Sequence, residues 1–175
     1  RDAYYDPSRM VITVAGKIDA GTLKLVKKTF GNVKPRAKAG KEFKPFSGLA
    51  SSKLPRTRVQ FKKTEQIHVA FGYPSYKLDD KRVPAAVLLS LILGGTMSSR
   101  LFIAVRERRG LAYFVRASQS SYEDVGMFTI QSGLDRSRLP LAMKTIMSEI
   151  RRITRNGVTA RALRDAQDHV RGKLL

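Results

Sequence analysis

Leu93-Gly-Gly-Thr-Met-Ser-Ser-Arg-Leu-Phe-Ile-Ala-Val-Arg-Glu-Arg-Arg-Gly-Leu-Ala-Tyr113 contains a helix end, a second short helix and the start of a strand. Gly94 and Gly95 stop the first helix, as glycine does just past a helix end. Ser98 or Ser99 can cap the second, whose apolar residues Leu101, Phe102 and Val105 share one face. Arg108, Arg109 and Gly110 close it. From Tyr113 the pattern alternates: Tyr113, Val115, Ala117 and Gln119 are expected on one face, Phe114, Arg116 and Ser118 on the other. Asp124-Val125-Gly126 supplies a turn, and Met127 to Gly133 returns as a second strand. The short helix therefore brings Arg106 to the end of a hairpin that begins with Tyr113. A cation and a phenol arrive at one place.

Working outward, Asp79 or Asp80 caps the preceding helix, with Pro84 in its first turn and Val87, Leu88, Leu91 and Ile92 facing inward. Ahead of it, Thr57 to Lys63 and Gln66 to Tyr73 read as two strands joined by Lys63-Thr64-Glu65. At the N-terminal side, Met10 to Gly16 is an apolar run that fits a buried strand. Asp19 then caps a helix carrying Leu23, Val26 and Phe30, ended by Gly31. Val33 to Pro55 reads as a long connection. Past the hairpin, Leu139, Met143, Ile146, Ile150 and Ile153 line one side of a helix ended by Asn156-Gly157. Thr159 caps a last helix with Leu163, Ala166, Val170 and Leu174. Paired strands alternating with helices predict an α+β fold: a mostly antiparallel sheet with helices packed on one face. Leu91, Phe102, Ile146 and Ile150 are the expected core where helices meet the sheet.

Composition sets the bounds. At 175 residues with a 42% hydrophobic share, the chain allows one domain of ordinary size, residues 1–175. No apolar run approaches the ~20 residues of a membrane span. Arg1 is not a natural start and Leu175 ends a helix without a cap, so the expectation is a domain excised from a longer chain. Without cysteine there are no disulfides and no thiol chemistry, and the compartment stays open. Charge is the loudest signal: 34 basic residues against 14 acidic, net +20. They crowd between Lys34 and Lys63, where Glu42 is the only acid. Such a field favours an acidic partner, either nucleic acid or a more acidic companion domain, unless the stretch is simply a solvated linker. The lack of interleaved aromatics and of a nucleic-acid motif leaves the first of these resting on charge alone.

Leu-Gly-Gly-x-Met-Ser-Ser-Arg-Leu-Phe followed by Val-Arg-Glu-x-Arg-Gly-Leu-Ala-Tyr resembles the second-domain motif of the insulinase/pitrilysin family of zinc peptidases, which includes the mitochondrial processing peptidases. Tyr4 to Gly16 is similar to that family's entry into the domain, and Lys63-Thr64-Glu65-Gln66 with Ile67-His68 also matches. The likeness runs along nearly the whole chain. It implies the metallopeptidase-family (LuxS/processing-peptidase-like) fold, and that this chain is the non-zinc, C-terminal domain of a peptidase half-molecule. In that family a companion domain or subunit holds zinc on an inverted His-x-x-Glu-His motif, and two half-molecules enclose a chamber for a peptide or protein substrate. The opposite half contributes an arginine, six residues and a tyrosine, which bind the substrate backbone and stabilise the oxyanion. Arg106 and Tyr113 have that spacing. The resemblance thus makes them the catalytic candidates.

This chain has no zinc motif of its own. Its two histidines, His68 and His169, belong to no His-x-x-Glu-His motif. There is no Walker loop and no Gly-x-Gly-x-x-Gly. The expected cofactor is none in this chain, with zinc in the companion domain, and the isolated domain is expected to be inactive. The alternatives are a catalytically silent structural or binding homologue of the same family and, from charge alone, a basic nucleic-acid-binding domain.

Overall fold

Asp19 begins the first helix by a specific local bond. Its carboxylate accepts from the Thr22 amide and hydroxyl, each at 2.7 Å, which satisfies an end amide that the helix cannot. Helix α1 (Ala20–Phe30) stops at Gly31, whose amide donates to the Lys27 carbonyl. The computed structural model of the protein describes residues 6–7, 10–34, 44–46 and 57–174. The chain divides into two units, Arg1–Pro45 and Phe46–Leu175.

The first unit departs from expectation. Met10 to Gly16 forms no strand, and Val11 stands 90% exposed. α1 buries none of its residues, so Leu23 and Phe30 are also open. Apolar runs show only that a segment suits a covered site. A strand also needs a neighbouring edge to bond, and no described residue pairs with this one.

The second unit holds a three-stranded antiparallel sheet in the order β1-β3-β2, with β1 Gln66–Ser75, β2 Ala112–Ser121 and β3 Gly126–Asp135. The β2–β3 hairpin follows the reading above, closed by the Tyr122 amide on the Val125 carbonyl at 2.7 Å. The predicted hairpin of Thr57–Lys63 with β1 is absent. Residues 57–64 lie outside the sheet and Phe61 is 82% exposed, while β1 pairs with the distant β3. Sheet partners are chosen by long-range packing, which local alternation does not encode.

Helix α2 (Val83–Ser90) starts later than an Asp79 or Asp80 cap implies. Asp80 instead accepts from the Arg82 amide, Nε and Nη2 at 2.9, 3.0 and 2.8 Å. Those Arg82 bonds, side chain first and backbone second, pull the Asp80 carboxyl down to about 2. α2 then widens into a π-wound turn, Leu91–Gly95, where Gly94 leaves helical backbone and packs against β2. A Cβ on Gly94 would lie 2.5 Å from the Ala117 nitrogen. Gly94→Ala must push a helix end off the sheet, and we expect a loss of about 1–3 kcal/mol in denaturant unfolding. A variant as stable as wild type would mean the helix end is not seated on the strand.

Serine capping is also replaced. The Ser99 hydroxyl donates to the Thr96 carbonyl at 2.6 Å, while the short π-wound helix Phe102–Glu107 follows without a side-chain cap. Arg100 at its entry reaches Glu149 at 3.0 Å, a buried carboxylate that also holds Arg152 at 2.8 Å. Glu149 lies on α3 (Leu139–Asn156), so this pair ties the short helix to the long one. α4 (Ala160–Leu174) starts as read, with the Thr159 hydroxyl accepting from the Ala162 amide.

The helices cover the sheet face formed by Ala112, Val115 and Ala117 of β2 and Phe128, Ile130 and Leu134 of β3. Leu93, Leu101, Val105, Leu111, Ala142, Ile146 and Ile153 complete the core. Of the four expected core residues only Ile146 is fully buried. Leu91, Phe102 and Ile150 are half-buried. On the short helix Leu101 and Val105, four positions apart, take the inward positions, and Phe102 lies beside them at the edge of that face. The fold is α+β with its sheet antiparallel, as the element order predicts.

Candidate functional site

Arg106 and Tyr113 are separated by one tight turn, and main-chain bonds define it. The Arg108 amide donates to the Ile103 carbonyl at 3.0 Å, the Gly110 amide to Arg106 at 2.9 Å and the Leu111 amide to Val105 at 2.9 Å. Gly110 sits at φ +56°, which glycine adopts without steric cost. The chain then enters β2 through an irregularity. Ala112 pairs with Leu134 and Phe114 with Gly133, so Tyr113 is an extra residue between two consecutive partners.

That β-bulge corrects the expected faces. Val115 and Ala117 are buried, whereas Tyr113 is 58% exposed rather than on their side. One inserted residue reverses the phase of the alternation, and bulges commonly re-aim a side chain in this way. Phe114, Arg116 and Ser118 do share the sheet face away from the helices. Phe114 lies over Gly133, where any Cβ would strike its ring. Arg116 bonds Gln131, and the Ser118 hydroxyl bonds Thr129.

Arg106 is exposed on the short helix, its guanidinium 5.0 Å from the centre of the Phe102 ring one turn earlier. Stacking on a ring restrains the arginine without consuming its donors. Among the described residues neither Arg106 nor Tyr113 spends its polar end on another side chain. The structure therefore places both on adjoining elements, solvent-facing and with their donors available, but does not join them by a hydrogen bond.

Sequence reading missed what surrounds Tyr113. A small concavity of about 190 Å³ is lined by Gly110, Leu111, Ala112, Tyr113, Asp135 and Arg138. Arg138 donates from Nη1 to the Arg109 carbonyl at 3.3 Å and from Nη2 to the Gly110 carbonyl at 2.7 Å. Its Nε bonds Asp135 at 2.9 Å. Asp135 also accepts from the Ser137 amide and hydroxyl. The Ser137 hydroxyl first, then Arg138, hold the Asp135 carboxyl below the usual carboxylate range. Locally, Asp135 and Arg138 read as a surface pair; only the fold brings them to the turn.

The residues do not suit a metal. His68, on β1, lies edge-on to Phe114 with ring centroids 5.6 Å apart, and His169 is exposed on α4. Among the described residues no cluster of three or more His, Cys, Asp or Glu could hold a metal ion. Zinc of the expected kind needs two histidines a helical turn apart and a carboxylate. Chelator-free protein analysed by atomic emission should carry well under one zinc per chain. Stoichiometric zinc surviving dialysis would contradict this.

Comparison with known proteins shows the family to which the chain belongs. Residues 1–170 match a family described as the peptidase M16 inactive domain. The chain is 38% identical over 172 residues to an uncharacterised zinc protease, YmxG, of Bacillus subtilis, covering 98% of this chain and 41% of that protein. It is 35% identical over 161 residues to an uncharacterised zinc protease of Streptomyces coelicolor, covering 89% of this chain and 35% of that one. The chain therefore spans well under half the length of these relatives. Among solved structures, a peptidase M16 inactive domain from Pseudomonas fluorescens superposes with a TM-score of 0.60 at 27% identity, over 63% of this chain and 27% of that one. A protease from Helicobacter pylori shares the fold, with a TM-score of 0.71 at 20% identity over 91% of this chain and 39% of that one.

Proposed function

Because this chain belongs to the peptidase M16 inactive-domain family, we propose that it is the non-zinc C-terminal domain of an insulinase/pitrilysin-type zinc metallopeptidase. In this reading residues 1–175 act as one domain and form part of the wall of a proteolytic chamber. Zinc belongs to a companion domain or subunit, as the names of the zinc-protease relatives suggest, and two half-molecules close around a peptide or protein substrate.

The observation that carries the proposal is the bulge that turns Tyr113 outward beside an exposed Arg106. A tyrosine serving only as packing would continue the inward phase of Val115 and Ala117. Here the fold interrupts its ladder and leaves the phenol in solvent. When the amide carbon of a peptide becomes tetrahedral, negative charge develops on its oxygen. A phenol O–H and a guanidinium held in advance can meet that charge without reorganising. Arg106 also offers parallel N–H donors to peptide carbonyls, so it grips the ground state too. In this reading the chain's own residues bind and stabilise, and the activation of water belongs to the companion zinc domain.

The test is turnover by the assembled peptidase carrying Tyr113→Phe, with folding checked separately. Loss of turnover in a folded protein supports the assignment. Unchanged turnover would leave the chain as a structural or binding member of the family.

A further inference from the structure

We propose that Arg138, held by Asp135, is the positioning residue for Tyr113. This rests on the reading of Tyr113 given above. Three of its nitrogens are committed: one to Asp135, two to the carbonyls of Arg109 and Gly110. Those carbonyls belong to the turn joining the helix of Arg106 to the strand of Tyr113. They lie 29 and 28 positions away in sequence, so this contact is tertiary.

The need for such a contact follows from the turn. A helix end leaves its last carbonyls without partners. Gly110, with no side chain and a positive φ, is the most permissive point of the connection. The bulge beyond it leaves Tyr113 outside the regular ladder. From the strand side, the turn is tied by the Asp135 amide on the Leu111 carbonyl at 3.2 Å. Arg138 supplies the other tie, a planar fork that reaches two successive carbonyls at once. Lysine, a single point charge, cannot reproduce that geometry.

An exposed pair three residues apart ordinarily contributes little. This pair differs because the guanidinium bonds a remote main-chain turn as well as its carboxylate. It also forms one wall of the concavity that Tyr113 shares. Without it, two carbonyls lose their donors and the turn can move. A displacement of an ångström at a catalytic donor can cost about 100-fold in rate.

The experiment compares Arg138→Gln, Tyr113→Phe and the double variant in the assembled peptidase, using a fluorogenic peptide that it cleaves. Amide hydrogen exchange at residues 110–114 is followed in parallel. Arg138→Gln should lower kcat by about tenfold or more with KM little changed. In the Tyr113→Phe background it should cost nothing further, because the phenol it positions is gone. Exchange at residues 110–114 should quicken while the rest of the sheet stays protected. Asp135→Asn, which keeps the acceptor for Ser137 but weakens the hold on Nε, should give a smaller loss of the same kind, and it decides the matter should Arg138→Gln not fold. If Tyr113→Phe lowers turnover while Arg138→Gln does not, or the two losses multiply, Arg138 does not position Tyr113. If Tyr113→Phe leaves turnover intact, the catalytic reading fails. Positioning is then decided by exchange alone: faster exchange at residues 110–114 supports it and unchanged exchange overturns it.

Discussion

Tyr113→Phe in the assembled peptidase is expected to lower turnover by about 100–1,000-fold, the usual cost of removing one oxyanion donor. The substitution keeps the ring and deletes one hydroxyl. Because the side chain is 58% exposed and its hydroxyl spends no bond on a described neighbour, the thermal midpoint should stay near wild type. Arg106→Ala should lower turnover as well and raise KM, since the guanidinium also holds peptide carbonyls. Steady-state kinetics on a cleaved peptide, beside calorimetry of the same samples, separates loss of chemistry from loss of fold. Near wild-type rates in both variants would move this Arg–Tyr pair off the active site and make the residues part of the scaffold.

The second large effect is on stability. Leu101→Ala should destabilise the protein by about 2–5 kcal/mol, the range for deleting a fully buried leucine. Leu101 has no exposed surface and sits in the cluster formed by Val105, Leu111, Leu134 and Ile146. The cavity cannot easily collapse, because the short helix is tethered to α3 through Arg100 and Glu149 on one side. Its other end is closed into the turn before β2 by the Leu111 and Gly110 amides, which donate to Val105 and Arg106. Leu91→Ala should cost less, since Leu91 is only half-buried. Denaturant unfolding of the two variants ranks them. A Leu101→Ala loss below about 1 kcal/mol, or a larger loss at Leu91, would mean the short helix does not turn Leu101 inward.

Much of this protein was legible one residue at a time. Asp19 and Thr159 cap α1 and α4 with their own oxygens, and Gly31 and Gly157 end α1 and α3. The β2–β3 hairpin needed only the turn chemistry around Gly126 and two flanking alternations. These features depend on bonds between residues a few positions apart, which the local sequence can specify without a distant partner. Arg106 and Tyr113 were brought to one place by the short helix and hairpin, and the family resemblance, through its Arg–x6–Tyr motif, made them candidate site residues. Family resemblance, resting on quoted motifs, supplied their proposed chemistry.

Where local pattern misled, a competing local bond decided the outcome in some places and partners distant in the chain decided it in the others. Met10–Gly16 and Thr57–Lys63 have strand-like side chains, yet β1 bonds β3 and leaves them unpaired among the described residues. Asp80 seemed a cap until Arg82 engaged its carboxylate. Packing against the sheet and α3 buried Leu101 and Val105 and left Phe102 half-buried. Above all, the bulge at Tyr113 and the Arg138 contact to the turn have no local signature. A bulge exists only relative to the strand opposite it, and Arg138 acquires its two carbonyl partners only after the end of β3 has folded back beside the short helix. Chain order could name the tyrosine; the register between two strands determined that it faces solvent.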